Sequence, residues 1–115
     1  MDLGLDVREQ GDWTVLGVTG EIDIATAPSL REKLHSLLAE GRANLIIDLD
    51  DVTFLDSTAL GVLVGVLKRA RTEGGELRIV CNQPRVRKVF EITRLDSAFD
   101  LCDSVEDAVK GGSQE

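Results

Sequence analysis

The chain has 115 residues, with 13 basic and 21 acidic side chains that give a formal net charge of −8. This balance argues against general binding to nucleic acid or to an anionic membrane surface, because both need clustered cations. The length suits one domain with one core, so residues 1–110 are predicted to form a single domain and residues 111–115 a flexible tail. The absence of an apolar leader or a bilayer-length apolar run predicts a cytoplasmic protein without a membrane segment.

The first half of the chain predicts an antiparallel hairpin, a helix and a buried strand. Leu3–Gln10 and Trp13–Thr19 are β-like runs around a Gly-Asp turn. Thr26 is a plausible N-cap for a leucine-rich helix that ends at Gly41. Leu45–Leu49 is nearly continuous in aliphatic residues, which is typical of an interior strand of a parallel sheet.

The second half alternates helices with single strands. A helix begins near Ser57 and ends at a Gly-Gly pair, and Glu76–Cys81 is the next strand. Pro84 opens another helix, a short extended piece lies around Ala98–Leu101, and Ser104 caps the last helix. The order β-β-α-β-α-β-α-β-α implies crossover connections. The predicted fold class is therefore α/β, with about four helices and a mixed, mostly parallel sheet that starts with an antiparallel hairpin.

The junction Asp56-Ser57-Thr58 carries the most distinctive chemistry of the chain. It lies where an extended apolar segment gives way to a helix, which would expose the Ser57 hydroxyl beside the positive end of the helix dipole. A catalytic serine needs a base within hydrogen-bond reach. The only histidine, His35, is predicted to point to solvent, and neither a related lysine nor a G-x-S-x-G elbow accompanies Ser57. The chain is therefore predicted not to be an enzyme.

The sequence indicates no metal site and no cofactor. Asp50, Asp51 and neighbouring carboxylates suggest a phospho-receiver, but the opening hairpin does not fit that layout, and these two residues are predicted to lie in a turn. Cys81 and Cys102 lack C-x-x-C spacing and are predicted to be buried, reduced thiols. Glycine-rich loops of the kinds that cradle phosphate are absent, and the pattern leaves nucleotide binding undecided.

The helix that follows Ser57 has two glycines in its middle. At about 100° per residue, Gly61 and Gly65 fall with Thr58 on the face opposite the core, and Val62 lies at its margin. Each glycine costs about 1 kcal/mol relative to alanine inside a helix. The glycines fit either the close approach of another protein or a neighbouring helix of the same domain, and the pattern does not decide between them. The predicted core face is aliphatic and consists of Leu60, Leu63, Val64, Leu67 and Ala70.

The stretch Phe54–Leu63 resembles the signature of anti-sigma-factor antagonists, which are bacterial proteins built on the STAS domain. The supporting matches follow one another in order along the domain, at Thr19–Asp23, Leu45–Leu49, Gly74-Gly75 and Val86–Phe90. The resemblance implies a STAS-type fold for the whole chain. One departure is Ala59, where the family commonly has glycine; the helical wheel places Ala59 beside the core face, so we expect it to be tolerated.

The resemblance also implies a function and a set of partners. In this family an anti-sigma factor, a serine kinase of the histidine-kinase-like ATPase fold, phosphorylates the serine that follows the aspartate, which is Ser57 here. The unphosphorylated antagonist binds that kinase and frees the sigma factor. The phosphorylated antagonist dissociates from the kinase, and a PP2C-type phosphatase restores the unphosphorylated form. The partner-binding residues implied by the resemblance are Asp23, Asp56, Ser57, Thr58, Gly61, Val62 and Gly65.

Two alternatives stay open from the sequence. Thr58 is a second hydroxyl beside Ser57 and is a candidate minor acceptor. The other alternative is a STAS scaffold or ligand-sensing module that does not switch, in which Ser57 is only a helix cap worth about 1 kcal/mol.

Overall fold

The computed structural model describes residues 3–111, and its elements follow the predicted order. Residues 112–115 of the predicted tail lie outside the described residues. Among the residues that are described, no helix has the length and apolar character needed to cross a membrane. The elements are β1 (Gly4–Gln10), β2 (Trp13–Ile22), α1 (Ala27–Ala39), β3 (Asn44–Leu55), α2 (Ser57–Thr72), β4 (Glu76–Val80), α3 (Pro84–Ile92), β5 (Asp100–Cys102) and α4 (Val105–Lys110).

The five strands form one mixed sheet in the order β1-β2-β3-β4-β5. β1 pairs with β2 in antiparallel fashion, and the other three pairings are parallel. This arrangement confirms the predicted fold class. Because parallel strands end at the same edge of a sheet, the loops that follow β2, β3 and β4 lie side by side there. Ser57 begins the helix that leaves this edge.

Helices pack on both faces of the sheet, three on one face and α4 alone on the other. The larger core lies on the face that packs against α1, α2 and α3, where Phe90 is fully buried. Phe90 meets Phe99 edge to face, with ring centroids 5.7 Å apart and an interplanar angle of 83°. On the other face, Val15, Ile46 and Val80 form a smaller cluster beneath α4. Because the central parts of β2 and β3 are buried on both faces of the sheet, these strands have nearly continuous apolar runs.

β3 is longer than the sequence predicts. It extends to Leu55, so Asp50 and Asp51 lie inside the strand and their assignment to a turn is wrong. The Asp48 carboxylate accepts a hydrogen bond from the Asp50 amide at 3.0 Å. The pairing of β2 with β3 also shifts register in this region, and such irregularities let a strand continue through residues that ordinarily favour turns.

The two cysteines are free and buried, as predicted. They belong to different cores, because Cys81 packs in the cluster beneath α1, α2 and α3 and Cys102 packs beneath α4. The Cys81 amide donates to the Cys102 carbonyl at 3.0 Å, so the two backbones are adjacent while the side chains lie on opposite faces of the sheet. Burial raises the pKa of both thiols, that of Cys102 to about 11.

We expect both thiols to resist alkylation by iodoacetamide at about pH 8 in the folded protein, because the thiolate is the reactive form and neither thiol ionises readily. Mass spectrometry over time should show unmodified protein under native conditions and two adducts in urea. A Ser57→Cys variant supplies the control, since that thiol would be exposed at a helix N-terminus and should gain one adduct quickly. Rapid native modification of Cys81 or Cys102 would contradict the burial described above.

Candidate functional site

The first turn of α2 is capped by Asp56. This residue has an extended backbone, with φ −115° and ψ −173°, and its Oδ1 accepts hydrogen bonds from the amides of Thr58 at 3.0 Å and Ala59 at 3.2 Å. The Asp56 amide donates to the Ile22 carbonyl at 3.3 Å, which ties the start of α2 to the end of β2. The junction is therefore anchored on both sides by hydrogen bonds.

Ser57 is the first residue of α2, and its side chain is exposed. Its hydroxyl makes no hydrogen bond to any group in residues 3–111. The interpretation of Ser57 as the helix cap is wrong, because the Asp56 carboxylate takes that position. The Ser57 hydroxyl is thus presented to solvent from a fixed backbone and has no part in holding the domain together.

The glycine-bearing face of α2 is open. Gly61 and Gly65 are both exposed, and a Cβ built on either one meets no atom within 4 Å beyond the neighbouring backbone of its own helix. The alternative in which a neighbouring helix of the same domain packs over these glycines is therefore wrong. Thr58 is exposed on this same helix, one turn before Gly61. Nothing inside the described domain accounts for two glycines here.

The core face of α2 differs from the predicted one at two valines. Val66 is fully buried, whereas Val64 is only half-buried and packs at the margin of the core. Ala59 is also fully buried, which places the departure from the family signature inside the domain rather than on its surface. The buried residues of α2 are Ala59, Leu60, Leu63, Val66, Leu67 and Ala70.

The loop between β2 and α1 is held by Asp23 and Thr26. The Asp23 carboxylate accepts from the amides of Ala25 at 2.9 Å and Thr26 at 3.1 Å, and the bond from the Thr26 amide is the main reason that the pKa of Asp23 is lowered. The buried Thr26 hydroxyl donates to the Glu21 carbonyl at 2.7 Å and accepts from the Asp23 amide at 2.9 Å. Thr26 occupies the N-cap position of α1, but its side chain secures the loop and does not cap the helix.

Two exposed apolar side chains lie at the same edge of the sheet and were missed by the sequence reasoning. Ile24, in the loop after β2, is 76% exposed, and Phe54, near the end of β3, is 47% exposed. A groove of about 610 Å³ between α1 and α2 is bordered by Ile24, Thr58 and Val62. The alternation along β3 was an available signal, because a buried Leu55 places Phe54 on the opposite side of the strand.

His35 is half-buried and lines this groove, so it is less open to solvent than predicted. Its Nδ1 is 2.8 Å from Nη1 of Arg69 on α2. Since a guanidinium only donates, Nδ1 accepts and the imidazole carries its proton on Nε2. Burial, followed by the charges of Arg69 and Arg31, lowers the pKa of His35, which favours the neutral ring. His35 therefore joins α1 to α2 and takes no proton from a serine in this arrangement.

The structure brings the predicted partner-binding residues to one region. Ser57, Thr58, Gly61 and Gly65 are exposed along α2, and Val62 lines the adjoining groove. Asp23 follows Ile22, whose carbonyl is bonded to the Asp56 amide. We call the exposed surface formed by these residues the docking face. It consists of Asp23, Ile24, Asp56, Ser57, Thr58, Gly61, Val62 and Gly65.

Comparison with known proteins gives a consistent family. Residues 4–108 match the family model of the STAS domain. The anti-sigma-B factor antagonist of Bacillus subtilis (strain 168) is 38% identical over 110 residues, which are 96% of this chain and 100% of that protein. A crystal structure of an anti-sigma factor antagonist from Mycobacterium paratuberculosis has a TM-score of 0.88 at 30% identity, covering 97% of this chain and 95% of that one.

A third comparison concerns the fold alone. The Bacillus cell fate determinant SpoIIAA in its phosphorylated form has a TM-score of 0.70 at 20% identity, covering 93% of this chain and 97% of that one. The family match extends over nearly all of the described residues, and the Bacillus subtilis relative aligns over its full length. The resemblance found in the sequence is confirmed: this chain belongs to the STAS domain family.

Proposed function

We propose that this protein is an anti-sigma-factor antagonist that binds an anti-sigma serine kinase and is switched off when the kinase phosphorylates Ser57. The observation that carries the proposal is the position of Ser57, which is exposed at the start of α2 while Asp56 does the capping. The name of the Bacillus subtilis relative supports the antagonist role. The phosphorylated SpoIIAA structure supports a phosphate on a protein of this fold.

The chemistry of the switch is a phosphoryl transfer and its reversal. The Ser57 hydroxyl oxygen attacks the γ-phosphorus of ATP, ADP leaves, and the hydroxyl proton is lost to the kinase or to water. A PP2C-type phosphatase then directs water to the same phosphorus, which releases inorganic phosphate and restores the hydroxyl. Because the donor is ATP, we place this cycle in the cytoplasm. We assign no direct DNA binding to this acidic chain.

The docking face has the properties that a kinase contact requires. Gly61 and Gly65 leave α2 without side chains where a partner backbone would approach. Ile24 offers apolar surface, and burying such a side chain stabilises a complex by about 1.5–3 kcal/mol. A phosphate on Ser57 would add about −1.5 to −2 charges at the edge of this contact. Binding and release would thus be decided at a single surface.

The test is phosphorylation by the anti-sigma serine kinase encoded in the same genome. With that kinase and ATP, we expect one phosphate, located on Ser57 by fragmentation mass spectrometry. Ser57→Ala should take no phosphate, and Thr58→Ala should take one as the native protein does. Phosphate found on Thr58 would move the site by one residue. Kinase binding without any phosphate would instead favour the scaffold that does not switch.

A further inference from the structure

The amides at the start of α2 are almost all in use before any phosphate arrives. Thr58 and Ala59 donate to the Asp56 carboxylate, and Leu60 donates to the Asp56 carbonyl at 3.2 Å. Within residues 3–111, the Ser57 amide is the one member of this turn that makes no hydrogen bond. The cap is local, since both partners of the carboxylate lie within three residues of it.

A phosphate attached to Ser57 would ordinarily seek those amides. Free N–H groups of a first helical turn bind phosphate, and the helix dipole favours the negative charge. A phosphoserine in the first turn of a helix can therefore fold back and cap its own helix. In this chain the amides of Thr58 and Ala59 already hold a carboxylate, which would also repel the incoming phosphate.

We propose that Asp56 is a positioning residue for the switch: by holding the Thr58 and Ala59 amides, it keeps the phosphate of phosphorylated Ser57 out in solvent. The inference rests on the proposed function, in which Ser57 is the acceptor. The phosphate then projects from the docking face with its full charge, where it opposes the kinase and is open to the phosphatase. The domain itself has no reason to rearrange.

The experiment places phosphoserine at position 57 during translation, so that it depends on no kinase. Three proteins are compared, with Asp56, Asp56→Asn or Asp56→Gly. Asparagine caps a helix as well as aspartate does, and glycine is well tolerated at an N-cap, so all three should fold. The first readout is the amide proton shift of Thr58 and Ala59, measured against the matching unphosphorylated protein. The second is the titration of the phosphate followed by phosphorus NMR.

In the native background, phosphorylation should leave the Thr58 and Ala59 amide shifts nearly unchanged. In the Asp56→Gly background the same amides should move downfield, because the phosphate takes them. The second pKa of the phosphate should then fall below its usual value of about 6, since the helix amides favour the dianion. Asp56→Asn should keep the amide shifts of the native protein. If Asp56→Asn behaves like the native protein, the change seen in Asp56→Gly is due to the lost capping side chain and not to a general loss of helix stability.

The inference is overturned if phosphorylation of the native protein moves the Thr58 and Ala59 amides as far as it does in Asp56→Gly. It is also overturned if Asp56→Gly shows no movement of these amides. Neither result depends on whether the anti-sigma kinase acts on Ser57. A failure of the kinase assay would therefore contradict the proposed function without contradicting the role of Asp56.

Discussion

Replacement of Ser57 by aspartate is expected to leave the domain folded and to weaken binding to the anti-sigma kinase by about a hundredfold or more. The hydroxyl makes no hydrogen bond in the described part of the chain, so its loss removes nothing from the fold. The new carboxylate lies in the first turn of α2, where the helix dipole favours it. The cost therefore falls on the complex, where charge is added beside Asp56. A loss of about 3 kcal/mol there gives the stated change in affinity.

Two controls make this result specific to the docking face. Ser97→Asp adds the same charge to an exposed serine in the loop before β5, which lies at the opposite edge of the sheet from Ser57. It should bind the kinase with native affinity in calorimetry. Ser57→Ala should bind at least as well as the native protein and should resist ATP-driven release. If Ser57→Asp and Ser97→Asp bind equally well, the switch is not at Ser57.

Much of the fold follows from local patterns. The helix faces repeat every three to four residues, and the strands are bounded by glycine and proline, so element order and sheet type could be predicted. The end of β3 could not be predicted, because Asp50 and Asp51 belong to a residue type that favours turns. Asp51 pairs with Thr19 of β2, and the Asp50 carboxylate accepts from the Asn82 amide, so these partners lie about thirty residues away in the sequence.

The candidate site also has features that the sequence predicts and features that it does not. Ser57, Gly61 and Gly65 lie on consecutive turns of one helix, so their spacing in the sequence was enough to predict that they lie close together. The His35–Arg69 hydrogen bond joins residues 34 apart, and the packing of α1 on α2 creates it. Asp23 and Thr26 fix the loop that exposes Ile24 through hydrogen bonds between side chains and backbone, which residue types do not reveal. Contacts within an element were thus predictable, and contacts between elements were not.

Replacement of Gly65 by alanine is expected to stabilise the free domain and weaken its binding to the kinase. The residue lies inside α2, and its Cβ would meet no atom of the described domain, so alanine should gain up to about 1 kcal/mol. Thermal unfolding should shift upward by about 4–8 °C. The same methyl group would stand between α2 and a closely packed partner, with a loss of affinity of about tenfold or more. Gly61→Ala should behave in the same way.

Gly74→Ala is the matched control, because Gly74 has φ +83° and follows the end of α2 away from the docking face. Alanine there should lower the unfolding temperature and leave the affinity for the kinase unchanged. If Gly65→Ala bound the kinase with native affinity, the docking face would be contradicted, whether or not the variant is more stable than the native protein. Gly65 destabilises its own helix and is not required by any contact inside the domain. Its presence is therefore explained by a contact with a binding partner. The two measurements on Gly65→Ala must therefore move in opposite directions.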